Sequence, residues 1–252
     1  MLVRLNRANH TILVALVACL LVSCVTIKPT IKVSQGPGWY TVKKYDTLYS
    51  IAWRYGLDYK QIAQWNNIGV NQTIYPGQKL RFSKPAKRTV ATITQTQAQT
   101  QQSQSVGSST TKTTKPAVPE TAADKLTRRD PGKWIWPTQG KVLNTFDAAK
   151  LDRRGIGIAG KQGQDVIAVA DGKVVYSGNG LAGYGNLIII KHSDTYLSAY
   201  AYCQERLVQE GMAVKAGKVV AKMGRKDNTA KLHFEIRRNG KPVDPVKYLP
   251  QR

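Results

Sequence analysis

Acidic residues are scarce in this chain of 252 residues: 15 aspartates and glutamates stand against 38 lysines and arginines, for a formal net charge of +23. In a cytoplasmic protein such an excess would favour nucleic acid as the partner. The apolar run from Ile12 to Val22 is too short to span a membrane comfortably, and Arg4 and Arg7 precede it. We therefore interpret residues 1–23 as an export signal and exclude nucleic acid.

The export signal ends in Leu21-Val22-Ser23-Cys24, which resembles the lipobox of bacterial lipoproteins. The resemblance implies that residues 1–23 are removed and that Cys24 is acylated, since several acyl chains together anchor a protein stably in a membrane. Val25, rather than aspartate, follows the cysteine, which implies an outer-membrane protein that faces the periplasm. A plain secretory signal with a chance cysteine is the alternative.

Cysteine is scarce as well. Cys19 would leave with the signal and Cys24 would be lipidated, so Cys203 would be the only thiol left in a compartment where disulfides form in pairs. We predict that Cys203 is a buried and inert side chain rather than a nucleophile.

Residues 38–82 have the pattern of a small α+β unit. A strand begins at Trp39, helices are predicted from Leu48 to Tyr55 and from Asp58 to Trp65, and a second strand is predicted from Ile74 to Leu80. This βααβ order resembles the LysM domain, with the supporting motifs Asp46-Thr47-Leu48, Tyr55-Gly56, Trp65-Asn66 and Pro76-Gly77-Gln78. One departure is Tyr45, which stands where the family usually has glycine.

LysM domains bind N-acetylglucosamine-containing glycan, as found in peptidoglycan, in a shallow groove between two loops. The resemblance implies the contact residues Asp46, Thr47, Leu48, Ile74, Tyr75 and Pro76. Helix capping alone is the competing interpretation for Asp46 and Thr47, and core packing is the competing interpretation for Ile74 and Pro76.

The rest of the chain divides at residue 130. Residues 83–129 are rich in Thr, Gln, Ser, Lys and Pro with almost nothing to bury, so we predict a disordered, flexible linker. Residues 130–252 have short strands separated by glycine-containing turns and almost no helical periodicity, which is typical of an antiparallel all-β domain.

This second domain resembles the LytM, or lysostaphin-type, zinc endopeptidases. The resemblance rests on Val169-Ala170-Asp171-Gly172, Gly183-Tyr184-Gly185-Asn186, Leu232-His233-Phe234-Glu235 and Val243-Asp244-Pro245. Active members hold zinc with two histidines and an aspartate and use two further histidines. At the matching positions this chain has Arg153, Gly157, Tyr202 and Lys231, and only His233 is retained.

A catalytic zinc needs about three protein ligands, so a single imidazole cannot hold it, and Arg153 and Lys231 would repel a dication. We therefore predict no catalytic residue, no metal and no cofactor. We expect the groove residues, Arg153, Gly157, Tyr202, Lys231 and His233, to form a surface that binds a partner protein.

The combination of LysM with a degenerate LytM domain resembles the NlpD-like group. Members of that group activate periplasmic N-acetylmuramoyl-L-alanine amidases, so the resemblance implies a peptidoglycan-binding lipoprotein that acts in wall remodelling and daughter-cell separation. Two alternatives remain open. The chain could be a purely structural tether between lipid and wall, or a zinc endopeptidase with an unforeseen metal site.

Overall fold

The computed structural model describes residues 38–69, 73–85 and 130–252. Cys24, the predicted signal 1–23 and most of the predicted linker 83–129 lie outside the described residues. Within the described ranges, no helix is long and apolar enough to cross a membrane.

The LysM module has the predicted βααβ order, with β1 (Trp39–Thr41), α1 (Leu48–Tyr55), α2 (Tyr59–Trp65) and β2 (Lys79–Arg81). Helix α1 begins with a capping box between Thr47 and Ser50 and ends at Gly56, whose φ of 65° suits glycine. The second strand begins later than predicted, because the segment before it forms a turn in which the Gln78 amide donates to the Tyr75 carbonyl.

The C-terminal module is an antiparallel sheet, as predicted. Its strands are β3 (Val142–Asn144), β4 (Ile156–Ala159), β5 (Asp165–Ile167), β6 (Gly172–Gly178), β7 (Asn186–Lys191), β8 (Tyr196–Arg206), β9 (Ala213–Val214), β10 (Val219–Met223), β11 (Arg225–Lys226), β12 (Thr229–Arg238) and β13 (Lys241–Val243). The main path runs β3-β4-β12-β8-β7-β6-β9, with β10 also paired to β8 and β5. Short 3-10 turns cover Leu151–Arg153 and Pro245–Lys247.

The sheet is buried on both faces, and successive side chains along each strand point to opposite faces. On one face Leu232 and Phe234 of β12 join a core that lies within the C-terminal module. On the opposite face Glu235 and Arg237 of the same strand are also buried, with relative exposures of 0% and 1%. A charged pair buried this deeply needs partners, and the LysM module supplies one of them.

The LysM module packs against this second face. Ile51 and Trp53 of α1 belong to the same apolar cluster as Tyr176, Ile189 and Ala199 of strands β6, β7 and β8. A 45-residue unit has little core of its own, so the sheet supplies part of the apolar surroundings of its helices. The two modules therefore share one hydrophobic core.

Candidate functional site

The two predicted glycan-binding loops lie at the same end of the small sheet in the LysM module. Val42, just after β1, donates its amide to the Gln78 carbonyl at 2.8 Å and accepts the Gly77 amide at 2.8 Å. The loop 43–48 and the loop 74–78 are therefore neighbours, as the resemblance to LysM implied.

Asp46 holds the first loop in shape. Its carboxylate accepts the Tyr40 hydroxyl at 2.6 Å and the Lys43 amide at 2.9 Å, and it forms an ion pair with Arg54 at 3.2 Å. Burial and the bond to Asp46 raise the pKa of Tyr40 to about 12. Thr47 caps α1 and also donates its hydroxyl to the Val175 carbonyl at 3.3 Å. Both polar side chains are thus engaged within the protein.

The other four predicted contact residues divide by exposure. Leu48 and Ile74 are core side chains, 3% and 8% exposed. Tyr75 is 66% exposed, and Pro76 beside it is also exposed. Of the residues predicted in the second loop, Tyr75 and Pro76 are therefore the two that a ligand could reach.

Tyr45 is a loop residue to which the prediction assigned no binding role. It adopts φ 66°, in the left-handed region, and its ring is 79% exposed with the Lys44 ammonium 4.9 Å from the ring centre. A left-handed tyrosine is uncommon and such conformations concentrate at functional sites. In the sequence, the feature that distinguishes this position is the tyrosine that replaces the family's glycine.

Four of the five groove residues lie together on the C-terminal module. Strand pairing sets Gly157 opposite His233, and the ring centres of Tyr202 and His233 are 5.7 Å apart. The Lys231 ammonium lies 5.9 Å from the centre of the Tyr202 ring. A Cβ at Gly157 would overlap the Asn144 side chain, so Asn144 fills the space where the family's aspartate would project.

Arg153 is positioned from the 3-10 turn that precedes β4. Its guanidinium donates to the Thr145 carbonyl at 3.1 Å and to the Thr145 hydroxyl at 2.8 Å. Thr145 follows Asn144 directly, so Arg153 is bound to the same segment that covers Gly157. Exposed apolar side chains border this part of the module, with Val142 39%, Leu143 49% and Leu151 55% exposed.

A buried network on the LysM-facing side of the sheet was not predicted. We call Tyr184, His233, Glu235 and Arg237 the interface network. Glu235 accepts the Tyr184 hydroxyl at 2.8 Å, contacts His233 Nε2 at 3.0 Å and pairs with Arg237 at 2.9 Å. Burial alone would raise the pKa of Glu235, but Arg237 and the two hydrogen-bond partners lower it below the usual value.

The interface network ends on the LysM module. Arg237 donates to the Trp53 carbonyl at 2.8 Å, and its guanidinium lies 3.5 Å from the centre of the Trp53 ring. No local sequence pattern predicts these contacts, because Trp53 and Arg237 are 184 positions apart. The only sequence signal is charge at alternate positions of a strand that is otherwise apolar.

The donors present do not suit the zinc that the LytM fold implies. His233 directs Nε2 at Glu235, and Gly157, Tyr202 and Lys231 supply no ligand at the neighbouring positions. In the part of the chain that the structure describes, no group of three His, Cys, Asp or Glu side chains could hold a metal ion. The groove instead forms a surface that is partly apolar and that carries cationic side chains.

His192 lies apart from the groove and is buried. Nδ1 is 2.8 Å from the Asp171 carbonyl and Nε2 is 2.7 Å from the Ser198 hydroxyl. Burial lowers the pKa of His192 to about 4, so its imidazole is neutral at physiological pH. Both nitrogens thus make hydrogen bonds that hold the fold together.

Comparison with known proteins identifies both modules. The LysM domain model matches residues 40–83, and the model of peptidase family M23, the family that includes LytM, matches residues 152–245. The chain is thus a two-module protein that joins a LysM domain to an M23 fold, and the predicted fold class is confirmed.

Several relatives match most of the chain. It is 42% identical over 257 residues to murein hydrolase activator NlpD of Escherichia coli (strain K12), covering 84% of this chain and 68% of that protein. It is 39% identical to the lipoprotein NlpD/LppB homolog of Pseudomonas aeruginosa, covering 99% and 94%. It is 40% identical to outer membrane antigenic lipoprotein B of Histophilus somni, covering 81% and 65%. The chain belongs to the NlpD family of murein hydrolase activator lipoproteins, which confirms the predicted resemblance.

Proposed function

We propose that this protein binds peptidoglycan through its LysM module and activates a periplasmic N-acetylmuramoyl-L-alanine amidase through the groove residues. The observation that carries the proposal is the groove itself, in which Arg153 and Gly157 stand where zinc ligands would be and His233, the remaining ligand position, is held by Glu235. Tyr202 and Lys231 stand where the family has its two further histidines, 5.9 Å from each other as measured from the Lys231 ammonium to the ring centre. The names of the relatives, which include murein hydrolase activators, support the same function.

The groove suits a helix or peptide of mixed character. Lys226 and Lys231 each lie 5.9 Å from the centre of the Tyr202 ring, which places cations beside an aromatic surface. The exposed Leu143 and Leu151 add apolar area at its border. Tyrosine is one of the residue types enriched in protein-binding hot spots, and an apolar centre with a polar rim is the usual layout of a protein interface.

The proposal includes the absence of hydrolysis by the chain itself. A zinc endopeptidase needs three ligands and an open position for water, whereas the groove holds one histidine that is already bonded to a carboxylate. Cleavage of the wall would then come from the partner enzyme alone.

The proposal also places the protein at the outer membrane, facing the periplasm. Acylation of Cys24 would supply the membrane anchor, and the names of relatives as lipoproteins and as an outer membrane lipoprotein support this placement.

Release of labelled fragments from purified sacculi tests the function. We expect no release by the protein alone and strong release with its amidase. Lys231→Glu or Leu143→Glu should reduce that release at least about ten-fold, since both alter a hot-spot surface. Lys241→Glu, on β13 outside the groove, is the matched control and should leave release unchanged.

The other outcomes separate the alternatives. Release by the protein alone would overturn the proposal in favour of an endopeptidase. No release with any periplasmic amidase, with wall binding retained, would leave a structural tether as the function.

A further inference from the structure

A cleft of about 820 Å³ opens where the LysM module meets the C-terminal sheet. One wall is the LysM loop 43–47 together with Arg54, and the other is the end of β6 with the segments 176–180 and 206–210. Its volume lies within the usual range of ligand sites. The cleft does not include the groove residues.

Contacts between the modules fix the walls in place. Thr47 donates to the Val175 carbonyl at 3.3 Å, and Arg54 donates to the Gly180 carbonyl at 3.4 Å. Tyr176 supports the far wall, since its hydroxyl accepts the Gly180 amide at 2.9 Å. The cleft is therefore composite and requires the docked arrangement of the two modules.

The LysM wall presents an aromatic ring and two cations. Tyr45 is 79% exposed, the Lys44 ammonium lies 4.9 Å from its ring centre, and Lys43 is exposed beside it. An open aromatic ring has an apolar face that packs against sugar rings and a hydroxyl edge that hydrogen-bonds. Asp46 adds no free negative charge, because Arg54 already pairs with it.

The opposite wall presents amides and a further cation. Asn179 and Gln209 are exposed, and their side chains both donate and accept hydrogen bonds. Arg206 is half-buried and donates to the Ser177 hydroxyl at 3.2 Å, which leaves other guanidinium donors for a carboxylate. Glu210 accepts the Ser177 amide at 3.2 Å and is the carboxylate of this wall.

We infer that this composite cleft binds N-acetylated glycan together with the acidic peptide attached to it, with the C-terminal module contributing Arg206 and Gln209. The inference rests on the proposed binding of peptidoglycan by the LysM module and names a second wall for that site. The loop 43–47 belongs to both surfaces: it borders the loop 74–78 at the end of the small sheet and faces Arg206 across the cleft.

The test is binding of the full chain to two probes, intact sacculi and a bare glycan made of N-acetylglucosamine alone, which carries no carboxylate. Arg206→Gln should weaken binding to intact sacculi at least about five-fold and binding to the bare glycan much less, because only the sacculi present carboxylates to the guanidinium. Tyr45→Gly should weaken binding to both probes while keeping the loop, since glycine suits φ 66°. Lys241→Gln, which removes one cation elsewhere, is the control and should bind both probes normally.

Gln209→Glu is a second variant at an exposed position that does not threaten folding; its added negative charge should also weaken binding to intact sacculi. Normal binding by both Arg206→Gln and Gln209→Glu, with binding lost in Tyr75→Ala, would overturn the composite cleft and leave a LysM-only site. Equal weakening of both probes by Arg206→Gln would overturn the assignment of the acidic peptide. Failure of the unaltered chain to bind either probe would instead overturn the proposed function.

Discussion

The guanidinium of Arg237, on the last long strand of the C-terminal module, lies 3.5 Å from the centre of the Trp53 ring in the LysM module. The same guanidinium pairs with Glu235 at 2.9 Å, and Glu235 in turn holds His233 in the groove. A continuous set of contacts therefore runs from the LysM helix to the candidate partner site. Such a set of contacts stabilises the docked arrangement through groups that have no access to water.

Removing Arg237 should be strongly destabilising. Arg237→Ala leaves the buried Glu235 carboxylate without its guanidinium, with only Tyr184 and His233 as partners, and we expect the free energy of unfolding to fall by about 3–5 kcal/mol in urea titrations. Arg238→Ala, at the exposed neighbouring position, should change it by less than about 0.5 kcal/mol. Similar values for the two variants would show that the buried pair does not stabilise the fold.

Gly157 in the groove and its neighbour Gly155 should differ in their tolerance of a methyl group. A Cβ at Gly155 would overlap the backbone carbonyl of Phe234, whereas a Cβ at Gly157 would overlap the Asn144 side chain and make an ordinary contact with Leu143. We expect Gly155→Ala to reduce the free energy of unfolding by about 3 kcal/mol and Gly157→Ala by about 1 kcal/mol. In the double variant Gly157→Ala with Asn144→Ala, the cost of the added methyl should largely disappear; an unchanged cost would contradict the observed contact.

Stability should fall as the pH drops below about 6.5. Burial lowers the pKa of His192 to about 4 in the folded protein from 6.5, so only the unfolded chain takes up this proton between those values. The stabilisation that comes from the neutral, buried His192 is complete at pH values above the unfolded pKa of 6.5, and it is lost as the pH falls towards the folded pKa of about 4. Linkage gives a loss of about 2 kcal/mol between pH 7.5 and 5.

Denaturant titrations at those two pH values measure the effect. His192→Gln lowers stability at both but should remove this part of the pH dependence. If the unaltered protein and the variant respond equally to pH, His192 does not titrate as its burial implies.

The Cys203 thiol should react only when the fold opens. It is 6% exposed, lies 3.4 Å from the Tyr200 carbonyl, and burial raises its pKa to about 12. In a chain that starts at residue 25 it is the only cysteine. We expect a thiol reagent to modify it very slowly in buffer and rapidly in denaturant; fast modification of the native protein would contradict its burial.

The secondary structure was largely predictable because its signals are local. The spacing of Leu48, Ile51 and Ala52 together with the capping residue Thr47 predicted α1, and the strand alternation after residue 165 predicted most of the sheet. The sequence did not predict the short strands β3, β4, β9, β11 and β13, since two to four residues carry too little periodicity. The late start of β2 was missed because the turn at Tyr75–Gln78 depends on one backbone hydrogen bond.

The groove was predictable only through family motifs, and the docking of the modules was not predictable. Gly157 and His233 are paired by strand register, which the aligned motifs anticipate. Trp53 and Arg237, by contrast, each look ordinary in sequence: one is a helix aromatic and the other a strand cation. Their contact depends on a surface match between two modules that no local pattern encodes.

The shared hydrophobic core also bears on how such proteins diverge. A LysM domain imported by recombination from an unrelated protein would lack a tryptophan placed over Arg237, and the buried Glu235 and Arg237 would then meet water or an ill-fitting surface. We expect the two modules of this chain to be inherited together and to change in step across their junction. Recombination within the segment that joins the two modules would exchange one module for another, but the contacts between Trp53, Glu235 and Arg237 would then be lost.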